Sequence, residues 1–507
     1  MTAFVLVSGN YTGGWVWQEV AERLRGSGAE VHPVTLTGMG EGGPPADAHT
    51  DLETHVEDLL RVIDAVREPQ LVIVGHDYGI HPVLGAADRR PERISRIVYL
   101  DAGLPQDGDS VLATLRDPSV RERLLQRAER SADGRWIAPP PLDEQDVWGS
   151  MAGLTEPARQ RLTTLAVPQP LGTFTGPLRL SGALAALPTS GIFCTAGGMS
   201  VALLQNMVRM GDPRLQPLAD PRVGFFDLDT GHWPMLSRPA ELAELLLRAA
   251  AGEGTRLVAD ERPDFHGPFL LDVEQRPRER VGTVDLYLPD VPADAAPRPA
   301  VILVHGGPVP AEARPTPRDW SIFTGYAGYL ASQGVVGVTF DHRLHDIGDY
   351  GVAAEDVAAA VELVRADPRV DADRVALWFF SGGSLLSTPW LAAPPPWLRC
   401  LAATYPMLAP LPNWGFSDAR FSPAAALAGA GELPIVLTRV ELEFPELVPT
   451  VEKFLAAGKE CGARVEVIDV PLGHHGFETI DHTEPAREAV RRAVASVLGH
   501  LGSLDTA

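Results

Sequence analysis

The stretch VALWFFSGGS, residues 375–384, predicts a strand that ends in a tight turn and continues into an apolar helical segment. Ser381 stands in that turn and is followed by two glycines. A strand, turn and helix of this kind lifts the serine hydroxyl above the edge of a sheet and directs the backbone amide of Gly382 toward a developing oxyanion. The stretch therefore predicts an α/β fold with a nucleophile at the carboxyl end of a strand.

Partners for this serine occur on both sides of it in the chain. The strand AVILV leads into HGG, where the flexible backbone of Gly306 and Gly307 can supply a second oxyanion amide. Farther on, Glu443 and His475 each follow a predicted strand. A serine hydroxyl must pass its proton to an imidazole that a carboxylate orients, so the order Ser381, Glu443, His475 predicts a catalytic triad.

Strand and helix signals alternate through both halves of the chain, which predicts mostly parallel sheets flanked by helices. We expect a first α/β domain over residues 1–250, with a helical cap inserted at about residues 106–185, where the β signal lapses. Residues 251–267 are polar and lack sustained periodicity, as linkers do. A second α/β domain is predicted over residues 268–502.

The C-terminal half, roughly residues 266–502, resembles the dienelactone hydrolase and serine esterase branch of the α/β-hydrolase family in its HGG, elbow and HGF motifs. The resemblance implies that Ser381 cleaves a carboxylic ester, lactone or thioester through an acyl-enzyme. It also favours His475, directly before Gly-Phe, over His474 as the base. Phe379 departs from the family elbow Gly-x-Ser-x-Gly, and its bulk is expected to crowd the turn.

Glu441 also follows this strand and is the alternative acid if Glu443 points elsewhere.

The N-terminal half, roughly residues 1–250, resembles the α/β-hydrolases related to plant methylesterases and hydroxynitrile lyases. The resemblance is carried by FVLVSGNYTGGWVW (4–17), VGHDYG (74–79), VYLDAG (98–103) and LDTGHWPM (228–235). Together the two resemblances imply tandem α/β-hydrolase domains.

Asp77 stands where the family elbow Gly-His-Ser-x-Gly has its serine, and His232 matches the family histidine. An aspartyl ester formed there is hydrolysed at its own carbonyl, so such a site attacks saturated carbon. Epoxide hydrolases and haloalkane dehalogenases on this fold carry an elbow aspartate, and GHDYG resembles their motif. Asp77 is therefore a nucleophile, a general base, or a residue of a retired site that pairs with His232.

Other positions of this half depart from the resembled families. Ser8 and Gly9 replace the usual His-Gly, and we expect Asn10 and Tyr78 to provide oxyanion or binding contacts. Residues 196–198 lack the family acid.

Asp101 and Asp229 are the two candidates to orient His232 in its place. Residues 106–185 contain no tyrosine to protonate an epoxide oxygen, while Trp136 and Trp148 are candidate halide donors.

Composition excludes several classes of function. With 43 Lys and Arg against 66 Asp and Glu, the formal net charge of −23 repels nucleic acid and anionic membranes. Cys194, Cys400 and Cys461 form neither a disulfide framework nor a zinc spacing, and no apolar run has the length of a membrane span. We therefore expect a cytoplasmic protein without metal or cofactor that acts on a small molecule. Its oligomeric state is not predicted.

The first functional hypothesis is a cofactor-free hydrolase that uses Ser381. The second places the reaction at Asp77 and His232, as epoxide or carbon–halogen hydrolysis or as lyase or cyclase chemistry, with the C-terminal half as a scaffold. The third is a non-catalytic binding module.

Overall fold

The structure is a computed structural model that describes residues 2–115, 118–209, 215–258, 267–292, 295–411 and 419–502. Their contacts form two compact units, the first built mainly from residues 2–205 and 215–258 and the second mainly from residues 267–410 and 419–502.

Of the predicted linker at 251–267, residues 251–258 extend the first unit, where Thr255 forms an isolated bridge with Phe225. Residues 259–266 lie outside the described residues.

The first unit is organised around a six-stranded sheet. The strands of the unit are β1 (Ala3–Val7), β2 (Glu30–Val34), β3 (Leu71–His76), β4 (Ile94–Leu100), β5 (Trp136–Ile137), β6 (Gln169–Pro170), β7 (Thr189–Cys194) and β8 (Val223–Leu228). The short strands β5 and β6 pair with each other, and the other six form the sheet. The sheet order is β2-β1-β3-β4-β7-β8, and every neighbouring pair is parallel. Strands β1 and β3 are buried along their whole length, as expected for central strands covered by helices on both faces.

Helices connect and cover these strands. They are α1 (Gln18–Gly26), α2 (Leu52–Ala65), α3 (Ile80–Arg89), α4 (Val111–Thr114), α5 (Pro118–Glu129), α6 (Gln145–Trp148), α7 (Glu156–Leu165), α8 (Leu171–Thr175), α9 (Val201–Arg209), α10 (Pro234–Ser237) and α11 (Pro239–Ala250). Helix α2 begins where the Asp51 carboxylate accepts the backbone N–H of Thr54 and the Thr54 hydroxyl bonds back to the Asp51 amide. Helices α4 to α8 and the antiparallel pair β5–β6 lie between β4 and β7, within the predicted cap.

The second unit contains an eight-stranded mixed sheet. Its strands are β9 (Arg278–Val281), β10 (Val284–Tyr287), β11 (Arg298–Val304), β12 (Val336–Phe340), β13 (Val370–Phe380), β14 (Leu398–Thr404), β15 (Ile435–Leu442) and β16 (Val465–His474). The order is β16-β15-β14-β13-β11-β12-β10-β9; the pairings from β16 to β12 are parallel, and those of β10 with β12 and β9 are antiparallel.

The described helices of this unit are α12 (Ser321–Ser332), α13 (Tyr350–Arg365), α14 (Thr388–Ala392), α15 (Pro423–Ala426), α16 (Val448–Cys461), α17 (Phe477–Ile480) and α18 (Glu484–Leu501). Over the residues that the structure describes, no helix combines the length and the apolar character that crossing a membrane requires. The carboxyl ends of β13, β14 and β15 lie side by side, and this edge carries the side chains described next.

Candidate active sites

Ser381 follows β13 directly and has a backbone φ of 48°. A non-glycine residue keeps this conformation only where its surroundings hold it, and the two glycines that follow allow the chain to pack closely around the serine. A Cβ on Gly382 would lie 2.2 Å from the carbonyl oxygen of Gly307, and one on Gly383 would lie 2.1 Å from that of His305. The sequence therefore places the serine in a sharp elbow that packs against the HGG loop.

The three predicted triad residues are in contact. The Oγ atom of Ser381 lies 2.7 Å from Nε2 of His475, and Nδ1 of His475 lies 2.8 Å from Oε1 of Glu443. The Glu443 side chain is only 6% exposed, so its interaction with the imidazole is weakly screened. The arrangement can move a proton from the hydroxyl to a ring nitrogen and stabilise the resulting imidazolium.

The alternative residues for this site lie elsewhere. The carboxylate of Glu441 accepts the backbone N–H of Leu472 at 2.8 Å. His474 is half exposed and its Nδ1 contacts Asp481 at 3.0 Å. The structure thus brings Glu443 and His475, rather than these neighbours, to Ser381.

Phe379 is fully buried in β13, and the expected crowding does not displace the serine. The turn after Ser381 continues as a 3₁₀ helix over Ser381–Ser387 before α14 begins. In the first unit the 3₁₀ segment after β3 covers only Asp77–Gly79, and a Cβ on Gly75 would meet the Cα of Ile80 at 2.6 Å. At the second elbow the chain thus follows a longer 3₁₀ segment, and the large Phe379 side chain is accommodated in the core there.

The HGG loop is held by two buried histidines. The rings of His305 and His342 stack with centroids 3.5 Å apart. The Nδ1 atom of His305 lies 2.6 Å from the carbonyl oxygen of Gly306, and Nε2 of His342 lies 3.0 Å from that of His305. Burial lowers the pKa of His305 to about 4 and that of His342 well below its usual value, so both rings are neutral donors.

These contacts fix the loop beside the serine, where a Cβ on Gly306 would lie 2.9 Å from the Ser381 Cβ. Gly307 contributes the carbonyl that packs on Gly382. Sequence reasoning missed His342; its position two residues after β12, at the same sheet edge, is the signal that could have indicated it.

In the first unit, Asp77 occupies the corresponding elbow after β3, with a φ of 50°. Its Oδ2 accepts hydrogen bonds from the backbone N–H of Asn10 at 3.2 Å and from the Asn10 side-chain amide at 2.8 Å. A Cβ on Gly9 would lie 2.9 Å from that same oxygen. The carboxylate thus lies against the predicted oxyanion residue, and its side chain remains 28% exposed, so a small molecule can reach it.

Asp101 orients the histidine of this site. Nδ1 of His232 lies 2.6 Å from Oδ2 of Asp101, and Nε2 lies 3.9 Å from Oδ2 of Asp77. Asp101 follows β4 and its other oxygen accepts the backbone N–H of Cys194 at 3.1 Å. Asp229, the other candidate, is exposed. The carboxylate missing after β7 is therefore supplied from the end of β4.

The cap residues hold this histidine in place. The backbone N–H of His232 donates to the carbonyl of Ser150 at 2.8 Å. Gly149 has a φ of 70°, and a Cβ there would lie 2.4 Å from the His232 ring. The cap backbone thus lies directly on the imidazole, which only glycine permits.

The charges of the first site are strongly coupled. Burial alone would lower the pKa of His232, but the hydrogen bond to Asp101 and the nearby charge of Asp77 raise it to about 10. Burial would likewise raise the pKa of Asp77, but the neighbouring His232 holds it well below its usual range. At neutral pH the site therefore contains an imidazolium between two carboxylates.

Tyr78, predicted to bind substrate, turns its hydroxyl away to His55 Nδ1 at 2.6 Å, so any contribution to the site comes from its backbone. Trp148 lies in the aromatic wall of the site, 5.3 Å from the Tyr11 ring between centroids. Its indole N–H donates to the carbonyl of Pro140 at 2.8 Å. Trp136 lies in β5 and is half-buried.

Tyr11 was not predicted as a site residue. Its ring is fully buried, and its hydroxyl has no hydrogen-bond partner within the described part of the chain. Burial and the charge of Asp77 both raise its pKa well above the usual range, while Arg127 opposes them. Tyr11 follows Asn10, whose Oδ1 also lacks a partner among the described residues. Its position directly after the predicted binding residue is the only sequence signal that could have indicated it.

Among the described residues, no three His, Cys, Asp or Glu side chains are arranged to hold a metal ion.

Comparison with known proteins places this chain in a family. Residues 4–245 match the alpha/beta hydrolase family. A carbendazim hydrolyzing esterase of Nocardioides sp. is 31% identical over 256 residues, which cover 48% of this chain and 98% of that protein. The chain therefore belongs to the α/β-hydrolase family and is an enzyme of the hydrolase type.

Two further similarities are more limited. Methyl jasmonate esterase 1 of Vitis vinifera is 31% identical over 103 residues, covering 20% of this chain and 40% of that protein. An extracellular α/β-hydrolase from a Paenibacillus species has 21% identity and a TM-score of 0.41 over 49% of this chain and 99% of its own.

Proposed function

We propose that this enzyme hydrolyses a carboxylic ester, lactone or thioester through an acyl-enzyme on Ser381, and that its second unit is a second α/β-hydrolase domain. The observation that carries the proposal is the continuous contact Ser381–His475–Glu443, with distances of 2.7 Å and 2.8 Å. Relatives named as esterases support ester hydrolysis in general.

The geometry supports a two-step reaction. The Oγ atom of Ser381 attacks the substrate carbonyl carbon while its proton passes to Nε2 of His475, and Glu443 stabilises the imidazolium. We assign the backbone amides of Gly382 and of the HGG loop as the donors that stabilise the oxyanion. The attack produces a tetrahedral intermediate. When it collapses to the acyl-enzyme, the His475 imidazolium gives its proton to the leaving alcohol or thiol. A water molecule, deprotonated by the same histidine, then releases the acid and restores the serine.

The test is intact mass after brief exposure to a fluorophosphonate probe. The wild type is expected to gain one adduct, Ser381→Ala none, and Asp77→Asn the same adduct as the wild type. The probe reports an activated nucleophile, because an ordinary serine hydroxyl reacts far more slowly. Full labelling of Ser381→Ala, or none of the wild type, would contradict the proposal.

A second candidate function belongs to Asp77, and its geometry supports a hydrolysis at saturated carbon. One oxygen of the carboxylate is held by Asn10, which leaves the other to attack. Ester formation would neutralise Asp77 and so lower the pKa of His232, which the two carboxylates raise to about 10. The imidazolium can then give its proton to the leaving atom, and the neutral ring can accept one from the water that hydrolyses the ester.

The surroundings favour an oxygen leaving group over a halide in this second function. An epoxide oxygen needs a proton or a donor, and His232 lies beside Asp77. The Tyr11 hydroxyl, which has no hydrogen-bond partner among the described residues, is a further candidate donor. A halide is stabilised by free N–H groups, whereas the indoles of Trp148 and Trp233 both donate to backbone carbonyls. The candidate substrate is therefore an epoxide.

Single turnover in ¹⁸O-labelled water with excess enzyme tests this candidate. With styrene oxide, the peptide that contains Asp77 is expected to gain ¹⁸O in the wild type and not in Asp77→Asn, because water enters at the aspartyl carbonyl. Phenethyl bromide is the matched substrate with a halide leaving group, and we expect it to give less label. An unlabelled Asp77 peptide after epoxide turnover would eliminate the covalent route.

The two features that favoured a non-catalytic binding module were the missing acid of the first unit and Phe379 at the second elbow, and neither disrupts its site. The acid that residues 196–198 lack is provided by Asp101, and Phe379 does not disturb the contact between Ser381 and His475.

A further inference from the structure

A buried carboxyl group lies three residues after the histidine of the second unit. Glu478 is in α17 and is fully buried. The hydroxyl of Tyr326, on α12, donates to its Oε1 at 3.0 Å, and the backbone carbonyl of Glu478 accepts the N–H of Leu270 at 2.8 Å. These bonds attach the segment that carries His475 to the body of the unit.

The second oxygen of this carboxyl indicates its protonation state. Oε2 of Glu478 is buried and has no hydrogen-bond partner in the described part of the chain. A buried carboxylate with an unsatisfied oxygen is strongly unfavourable, whereas a protonated carboxyl can direct its O–H toward a neighbour. The phenol of Tyr405 interacts electrostatically with this carboxyl group.

Tyr405 in turn touches the catalytic imidazole. Its ring centroid lies 4.5 Å from that of His475, and Phe444 packs on the same imidazole at 5.1 Å. Tyr405 has a φ of 35°, a conformation that a non-glycine residue keeps only when its surroundings hold it. The backbone N–H of Tyr405 donates to Thr438 at 2.9 Å, and its phenol is held in the interior near Glu478.

We propose that Glu478 is a positioning residue that acts through Tyr405 to keep the His475 ring aligned with Ser381. The inference rests on the proposed function of Ser381. The working form of Glu478 is the neutral acid, which accepts from Tyr326 and donates toward Tyr405. Ionisation places a buried charge, which the two phenols only partly offset, in the packing around the imidazole and misaligns it.

The groups around Glu478 determine how the activation of Ser381 should depend on pH. Burial, followed by a smaller effect of Asp481, raises the pKa of Glu478, while Tyr326 and Tyr405 oppose the shift, and the value reached is about 8. The acid is therefore mostly protonated at pH 7 and ionises in the mildly alkaline range. Activation of Ser381 is expected to fall over that range.

The experiment measures the rate of fluorophosphonate modification of Ser381 by intact mass between pH 6 and 9.5. Glu478→Gln keeps a donor and an acceptor but cannot ionise. We expect its rate to stay within about threefold of the wild type at pH 7, and the ratio of wild type to Glu478→Gln to fall above pH 8. Glu478→Ala should react at least about tenfold more slowly at every pH, with thermal melting used to confirm that it folds.

Glu488→Gln, at an exposed position of α18, is the matched control and should follow the wild-type profile. Superimposable profiles for the wild type and Glu478→Gln would overturn the inference while leaving the proposed function intact. A wild type that is not labelled would instead refute the proposed function and this inference with it. A folded Glu478→Ala that reacts at the wild-type rate would overturn the positioning role alone.

Discussion

Nδ1 of His232 lies 2.6 Å from Oδ2 of Asp101, although the two residues are 131 positions apart in the chain. Asp101 is the residue after β4, and β4 is the neighbour of β3, which carries Asp77. The first unit therefore contains a carboxylate at the nucleophile position, Asp77, an imidazole, His232, and a second carboxylate that contacts the imidazole, Asp101. Asp101 and Asp77 follow neighbouring strands of the sheet.

The first prediction concerns the pKa of His232. Asp101→Asn removes a carboxylate in direct contact, so the pKa should fall from about 10 by more than one unit. Asp229→Asn is the matched control and should leave it unchanged, since Asp229 is exposed. NMR titration of the imidazole signals measures the pKa of His232 in both variants. An equal response to the two substitutions would contradict the assignment of Asp101 as the orienting acid.

The second prediction separates the two glutamates near His475. Glu443→Gln should slow ester hydrolysis or fluorophosphonate labelling by about 10²-fold or more, because the imidazolium loses its counter-charge and its tautomer is no longer fixed. Glu441→Gln should change the rate by less than about threefold, because its carboxylate accepts a backbone amide rather than contacting the imidazole. Comparable losses in both variants would show that the acid is not Glu443 alone.

The third prediction concerns the approach of the HGG loop to Ser381. Gly306→Ala places a Cβ 2.9 Å from the Ser381 Cβ and 3.5 Å from Oγ, so the serine must shift. We expect at least about a tenfold loss of labelling rate, because small displacements of reacting groups are costly.

Gly499→Ala is the control for the glycine substitution. It lies in α18 with nothing within 4 Å of its Cβ, and should stabilise the protein by about 0.5–1 kcal/mol without changing the rate. Denaturant unfolding and probe labelling measure the two effects. Wild-type labelling by Gly306→Ala would be incompatible with the close approach described here.

The fourth prediction is a dependence of stability on pH that originates from Glu478. Its pKa is raised from 4.5 to about 8 in the folded protein, chiefly by burial. The unfolded chain therefore releases this proton at lower pH than the folded one, so the contribution to stability is fully present below about pH 4.5 and is lost as the pH rises toward 8.

Glu478→Gln should flatten this part of the unfolding free-energy profile, and Glu488→Gln should not. Urea unfolding at a series of pH values provides the measurement. If the wild-type and Glu478→Gln profiles remained parallel from pH 4.5 to 8, Glu478 would not be neutral in the folded state.

Both elbows were predictable because they depend on local sequence. A run of apolar β-type residues followed by a turn dictates a strand that ends at Asp77 or Ser381, and both residues have the positive φ of an elbow, 50° and 48°. The mixed character of the second sheet was not predicted, because the direction of β9 and β10 depends on pairing with β12 rather than on their own residues.

The choice between Glu441 and Glu443 needed the tertiary structure. Both glutamates lie at the end of β15, and alternation alone would direct them to the same side. The pairing of β15 with β16 shifts register between Val440 and Leu442, where two steps along β15 oppose four along β16. Glu441 contacts the Leu472 amide within this irregularity, and Glu443, beyond it, contacts His475.

The sequence by itself determined the order of strands and helices, the two elbows, and the kinds of group available to each site, because these follow from residue pattern over short stretches. Only the tertiary structure decided that Asp101 contacts His232, that His342 holds the HGG loop, and that Glu478 anchors the segment of His475. Those contacts join residues far apart in the chain, and their distances are set by the packing of neighbouring strands and the helices that cover them.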